Sequence, residues 1–347
     1  MNKNFIDLEN KEKTSINPTS FILAEKENLR LLAHKFIIKK KIIAILLCGS
    51  HIEGFADEYS DIDLLFITHK YESFENKTYK GQKLSLQFIS EKNINNFLVK
   101  YDEDYVRWIM NSLILYNNKY IIELRNNISI KSLEIVERHI SRCITYYLDS
   151  FSAFLLNNEY EQRISLLFAL QYIIKALLIA NNRYNVKARW LYRQLNSVKY
   201  LDELYINTYN NFFRNSIRNN NLLQITTCKF INDTINNKIP MSNNLKKIFT
   251  NEYTYCGETN NIINPYLLWI RYPDNSVCIY GHGSKEITLS PIKGYIWQIL
   301  AKTKSQKKII NKIMEEYNIS KEKAKIEVNN FLLDANKYNL FSHNDCL

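Results

Sequence analysis

"LLCGSHIEGFADEYSDIDLLFI" (residues 46–67) decides how the first third of the chain is read. An apolar run, residues 42–48 (IIAILLC), stops at Gly49-Ser50; after ten intervening residues a second run, residues 61–68 (DIDLLFIT), begins. Short apolar runs bounded by turn chemistry read as strands buried on both faces. Strand side chains alternate between faces, so Asp61 and Asp63 should point one way and Ile62 and Leu64 the other. Two carboxylates on one face repel each other unless a cation lies between them. A hard divalent cation answers that need, and Mg²⁺ typically takes one or two carboxylates plus phosphate oxygens. Gly49 permits close backbone approach, and Ser50 offers a hydroxyl and an N–H to a phosphate. The alternative is a surface turn with solvated aspartates. Asp63 speaks against it, because it interrupts an otherwise apolar strand.

Upstream, residues 23–38 (LAEKENLRLLAHKFII) place Leu29, Leu32, Ala33, Phe36 and Ile37 at helical spacing. Downstream, KLSLQFI (83–89) alternates and predicts a third strand after a loop. These elements make a small mixed α/β unit that should close near residue 125. From about residue 130 the period is helical, over 132–156, 163–180, 186–195 and 201–215. The second of these is apolar nearly all round, which predicts the central helix of a bundle. Gln171 and Lys175 break its apolar core, which reads as too short to span a bilayer. Residues 241–262, polar and rich in Asn, read as a linker.

A third unit follows. LLWIRY (267–272) and VCIY (277–280) flank PDNS and predict a hairpin, with EITL (286–289) as another strand. Ser290-Pro291 is a good helix start, and further helices are expected over 307–317 and 321–335. The fold class is therefore α+β. A mixed-sheet domain is expected over 1–125, a helical bundle over 126–240, the linker over 241–262, and a winged-helix-like unit over 263–345.

At 347 residues the chain can hold two or three domains. Its net charge of +11 permits an anionic partner, but the basic residues are scattered, and Lys39-Lys40-Lys41 sits at a helix–strand boundary. The six cysteines form no C-x-x-C pair and have no His at zinc spacing, so they read as reduced thiols of a cytoplasmic protein. The N-terminus is polar and lacks a signal-peptide core. No membrane partner is expected.

A second constellation is NNRYNVKARWLYRQL (181–195), with Arg183, Lys187, Arg189 and Arg193 beside Trp190. If residues 186–195 are helical, Lys187 and Trp190 share a face. Cations here could neutralise a triphosphate as pyrophosphate leaves. A plain basic helix face with a packed Trp is the competing reading. His34 and His139 lie inside periodic helices, whereas His51 alone adjoins the Gly49-Ser50 turn. GHGS (281–284) lacks a following Asp-x-Asp and reads as a loop.

The order apolar strand, Gly-Ser, ten residues, Asp-x-Asp, apolar strand resembles the DNA polymerase β-like nucleotidyltransferase superfamily. It looks most like the minimal branch that includes antibiotic nucleotidyltransferases. The resemblance implies that Gly49 and Ser50 bind a nucleoside triphosphate, ATP by expectation, and that Asp61 and Asp63 bind two Mg²⁺ ions. It departs at the third acid: many members carry one on the next strand, where this chain has Ser85 and Gln87. Some antibiotic-modifying members take a base from the helical domain instead. Glu134, Glu137 and Glu161 are the candidates here, with Glu161 preferred. The 181–195 stretch resembles the same helical domain and implies nucleotide-phosphate contacts at Arg183 and Lys187.

Residues 264–341 resemble the PqqD-like family, over NPYLLWIRY, ITLSPIKGYIWQIL and KKIINKIMEEYNISKEKAKIEVNNFLLDANKYNLF. This implies binding of the leader of a ribosomally made precursor peptide. An extended peptide would add to an open sheet edge between EITL, or its neighbouring strand, and the helix 321–335. A DNA-binding winged helix is the competing reading, but Lys321, Lys323 and Lys325 are offset by Glu322 and Glu327, so nucleic acid is not expected. Together the resemblances imply an enzyme that transfers a nucleotidyl group from a triphosphate to a leader-bound peptide. The alternatives are a small-molecule, antibiotic-type nucleotidyltransferase and an inactive transferase serving as a peptide-binding adaptor.

Overall fold

In the computed structural model, which describes residues 18–196, 220–239 and 263–341 apart from positions 265, 273, 283, 284, 302, 304 and 339, the two apolar runs are neighbouring strands. β1 (Ile42–Cys48) and β2 (Ile62–Thr68) pair antiparallel, with Cys48 opposite Asp63. β3 (Ser73–Tyr79) pairs antiparallel with β4 (Gln82–Ser90), and β4 runs parallel to β2 with Ser85 level with Asp63. β5 (Leu113–Tyr116) adds to the other side of β1, giving the order β3-β4-β2-β1-β5. The mixed sheet agrees with the α+β reading.

β1, and β2 apart from Asp63 and Thr68, are apolar because they are central. Ile62, Leu64 and Phe66 join one core with Ile22, Leu29 and Ala33 of α1 (Ser20–His34). Phe66 stacks on Phe88 at 4.5 Å in that core. Asp63, out of phase by one residue, therefore faces the opposite side of the sheet. β3 replaces the loop expected between the second and third strands. Its sequence, SFENKTY, reads as polar because the strand lies at the sheet edge, with Phe74 exposed.

Short helices fill the connections: α2 (Ile37–Lys40), α3 (Ser50–Glu53), α4 (Glu91–Lys100) and α5 (Glu103–Met110). Ser90 caps α4 through Asn93 N–H, and Asp102 caps α5 through the N–H groups of Asp104 and Tyr105. α6 is one helix from Asn118 to Leu155, so it begins well before the expected residue 132. α7 spans Glu159–Ala180. Beyond it the chain is not helical at once: Lys187 is extended, a 3-10 turn covers Ala188–Trp190, and α8 (Leu191–Asn196) follows. Lys187 and Trp190 thus do not share a helical face.

The chain forms two compact units, residues 1–135 with 181–194, and residues 136–180 with 195–347. The first border, after residue 135, lies within α6, as does the expected break at 125. Residues 181–194 belong to the first unit rather than to a helical domain.

In the second unit α7 buries Leu166, Ala169, Leu170, Ile173, Ile174, Leu177 and Leu178. By length and composition α7 could cross a membrane, unlike the shorter apolar core expected, and half of its apolar window is buried within the protein. Helix Asn220–Asp233 packs on α7 and continues as a π-turn, Thr234–Lys238. β6 (Leu268–Arg271), β7 (Val277–His282) and β8 (Lys285–Leu289) form an antiparallel sheet in that order. The PDNS hairpin turns at Asn275, whose φ is 68°. Helices Pro291–Leu300, Gln306–Tyr317 and Lys321–Lys337 close a core around Trp297 and Phe331. A Cβ at Gly294 would stand 2.2 Å from the Asn275 carbonyl oxygen, so only glycine lets this helix rest on the hairpin turn.

The outer edge of β6 is occupied by side chains. Asn232 Nδ2 donates to Leu267 O (2.9 Å) and Asn232 Oδ1 accepts from Trp269 N–H (2.9 Å). One helical turn on, Asn236 Nδ2 donates to Trp269 O (3.0 Å) and Asn236 Oδ1 accepts from Arg271 N–H (3.2 Å). Two amides thereby imitate a fourth strand. The expected linker 241–262 and the helical pattern over 201–215 lie outside the described residues.

Candidate functional site

The Gly49-Ser50 turn ends β1. Gly49 has φ 82°, and a Cβ there would stand 2.1 Å from Asp63 Oδ2. Glycine is required twice over, by the dihedral and by the carboxylate lying against the backbone. Ser50, half-buried, opens the single turn α3. His51 is buried and faces inward. Its Nε2 lies 3.2 Å from Ser60 O and its Nδ1 3.2 Å from Thr19 Oγ1. A carbonyl only accepts, so these partners place the proton on Nε2, and the Thr19 hydroxyl donates to Nδ1. His51 ties down the loop end beside Asp61 instead of facing a substrate. His139 is buried too, and burial pushes its imidazole down to about 3.

Asp63 is the perturbed carboxyl of the turn. Burial, then the neighbouring Asp61 charge, pushes it up to about 6, against the pull of Arg107, Lys187 and Lys83. Asp61 accepts from Lys83 Nζ at 2.6 Å. The two aspartates therefore sense each other, as strand parity requires. Two oxygen donors suit Mg²⁺, which commonly draws its other ligands from substrate and water. A cation there would offset both causes of the Asp63 shift. Among the described residues no group of three His, Cys, Asp or Glu side chains is placed to hold a metal. Ser85, level with Asp63 on β4, is buried, and Gln87 donates to Tyr105 Oη at 2.6 Å, so neither places a carboxylate beside the pair.

Behind the turn lies a charged network that the sequence reading missed. Glu53, the last residue of α3, is 3% exposed and Arg107 of α5 is 4% exposed. Arg107 Nη1 donates to Glu53 Oε2 at 3.2 Å, Asn111 Nδ2 to Oε1 at 3.2 Å, and Asn185 Nδ2 to Oε2 at 2.8 Å. Burial pushes the Glu53 carboxyl up, while Arg107, Asn111 and Lys187 counter it. Asp104 then links the two cations, with Lys187 Nζ at 2.9 Å and Arg107 Nη2 at 3.5 Å. Phe55 stacks on Trp190 at 4.8 Å. The segment 181–194 is thus anchored to the turn, with Tyr184, Asn185 and Val186 buried.

The structure brings Gly49, Ser50, Asp61, Asp63 and Lys187 together and adds Glu53 and Arg107. Arg183 lies half-buried in the Lys187 segment. Glu161 stands exposed in the first turn of α7, in the second unit. Glu134 is exposed in the first unit and Glu137 in the second. The four described cysteines, Cys48, Cys143, Cys228 and Cys278, are buried and unbridged. No family model matches the chain, and no curated protein is significantly similar to it. A crystal structure of a nucleotidyltransferase-like protein from Exiguobacterium sibiricum 255-15 aligns with 13% identity and a TM-score of 0.40, over 60% of this chain and 75% of that one. A likeness that slight says nothing of what this chain does.

Proposed function

We propose that the first unit transfers a nucleotidyl group from a nucleoside triphosphate, ATP by expectation. The observation that carries this reading is the Asp63 carboxyl, half-buried against the Gly49 backbone with Asp61 beside it and Arg107 and Lys187 pulling on its titration. Asp61 and Asp63 would hold Mg²⁺, two ions by the family resemblance. Bound there, the metal would supply charge neutralisation to attacking and leaving oxygens. Gly49 lets a phosphate approach the main chain, and the Ser50 hydroxyl and N–H would bind it. Lys187 and Arg183 would take the charge of the departing pyrophosphate. The buried, unbridged cysteines fit a reducing, cytoplasmic setting.

The acceptor in this reading is a ribosomally made peptide, its leader held by residues 263–345. The support is the second sheet: Asn232 and Asn236 occupy the β6 edge, while β8 is the outer strand on the other side. Strand addition would then fall to β8. The test is to incubate the full chain with Mg²⁺, each triphosphate and a precursor peptide encoded beside it. The expected result is a mass gain equal to a nucleotide, abolished by Asp63→Ala. No gain with any triphosphate overturns the proposal.

Ser85 in the third-acid position favours one other reading, a transferase unit without activity that serves a peptide-binding adaptor. If the biological output of the chain survives Asp61→Ala and Asp63→Ala unchanged, that reading replaces the first.

A further inference from the structure

We infer that Glu53 is a positioning residue for triphosphate binding: it fixes Arg107 and the segment carrying Lys187 to the Gly49-Ser50 turn. The inference rests on the nucleotidyl-transfer reading of that site. Glu53 ends α3, the turn that Gly49-Ser50 begins, so whatever it holds is placed relative to the phosphate cradle. It holds two elements at once: α5, through Arg107 and the C-cap residue Asn111, and the segment that returns after α7, through Asn185. Its two oxygens thus serve three donors, all on residues no more than 4% exposed.

Arg107 Nε and Asn185 Oδ1 are both buried and have no hydrogen-bond partner. Buried polar atoms normally find partners, and both of these sit on side chains that Glu53 holds, so the placement of those side chains depends chiefly on that carboxylate. Asp104 joins both cations, with Lys187 Nζ at 2.9 Å and Arg107 Nη2 at 3.5 Å. Without Glu53 the buried guanidinium would lose its main counter-charge, and Asn185 would lose the anchor that sets the Lys187 segment.

The test uses the full chain, Mg²⁺ and α,β-methylene ATP, with affinity read by calorimetry and fold by circular dichroism. Glu53→Gln keeps one acceptor and removes the charge. It should weaken binding about 10- to 100-fold, the usual cost of losing a residue that orients ligand-holding groups. Because part of the Glu53 effect passes through the Lys187 segment, Glu53→Gln combined with Lys187→Ala should lose less affinity than the sum of the two single variants. Additive losses, or wild-type affinity in Glu53→Gln, overturn the positioning role. Should Glu53→Gln fail to fold, Asn185→Ala leaves the ion pair intact and enters the same double-variant cycle, where additive losses or wild-type affinity again overturn the role. A wild-type chain that binds no triphosphate overturns the reading of the site itself, and this inference with it.

Discussion

Asn in place of Asp63 should make the first unit more stable, not less. The Asp63 carboxyl titrates near 6 in the folded chain, against 3.8 for an unperturbed aspartate. At about 1.4 kcal/mol per pH unit, the ionised carboxylate costs the fold about 3 kcal/mol above pH 7. The sign follows from proton counting. Between those two values the native state binds more protons than the unfolded chain, so stability is fully present below the lower value and falls as pH rises through the higher. Asparagine keeps the shape and drops the charge, so the gain from Asp63→Asn should approach about 3 kcal/mol at pH 8 and nearly vanish by about pH 4. Urea unfolding at pH 8, 6 and 4, wild type against variant, measures it. Mg²⁺ at pH 8 should stabilise the wild type and leave the variant unmoved, since only the native carboxylate pair gains from a bound cation. A variant less stable than wild type at pH 8, or a difference that does not shrink toward acid, would show that burial and Asp61 are not what holds the carboxyl up.

Other substitutions probe separate features. Gly49→Ala combines a left-handed dihedral with a Cβ 2.1 Å from Asp63 Oδ2, so it should destabilise by about 2 kcal/mol or more in urea unfolding and abolish binding of α,β-methylene ATP. In an ordinary helix Gly→Ala stabilises by up to about 1 kcal/mol, but Gly294→Ala meets the Asn275 carbonyl at 2.2 Å, and thermal unfolding should show the sign reversed. Asn236→Leu orphans Trp269 O and Arg271 N–H, so it should cost about 2 kcal/mol or more by denaturation and leave the β6 edge open to self-association, visible by light scattering.

The features legible in the sequence were those fixed by local rules. Period-two alternation put Asp61 and Asp63 opposite the α1 core, and the second hairpin and the Ser290-Pro291 helix start were plain from turn and cap chemistry. β3 was missed because an exposed edge strand carries no apolar alternation. The start of α6 is not legible locally because Asn126-Asn127 and Ser129 interrupt its helical period. Glu53 and Arg107 were unreadable for a different reason: they lie 54 positions apart, and a charged residue shows its burial only once its partner has been brought to it. The return of residues 181–194 to the first unit is equally non-local. Asn185, the residue that secures it, looked like one more Asn in an Asn-rich chain.

Asn232 and Asn236 change how the C-terminal segment can be handled. A cut at the apparent linker would separate β6 from the two amides that complete its hydrogen bonding and would strand Cys228, whose thiol also reaches Leu267 O. Truncation at residue 262 is therefore a poor way to ask what the segment recognises, because it damages both halves. A chimera that exchanges recognition specificity with another protein should carry helix Asn220–Asp233 and its π-turn along with the sheet, placing the junction before Asn220.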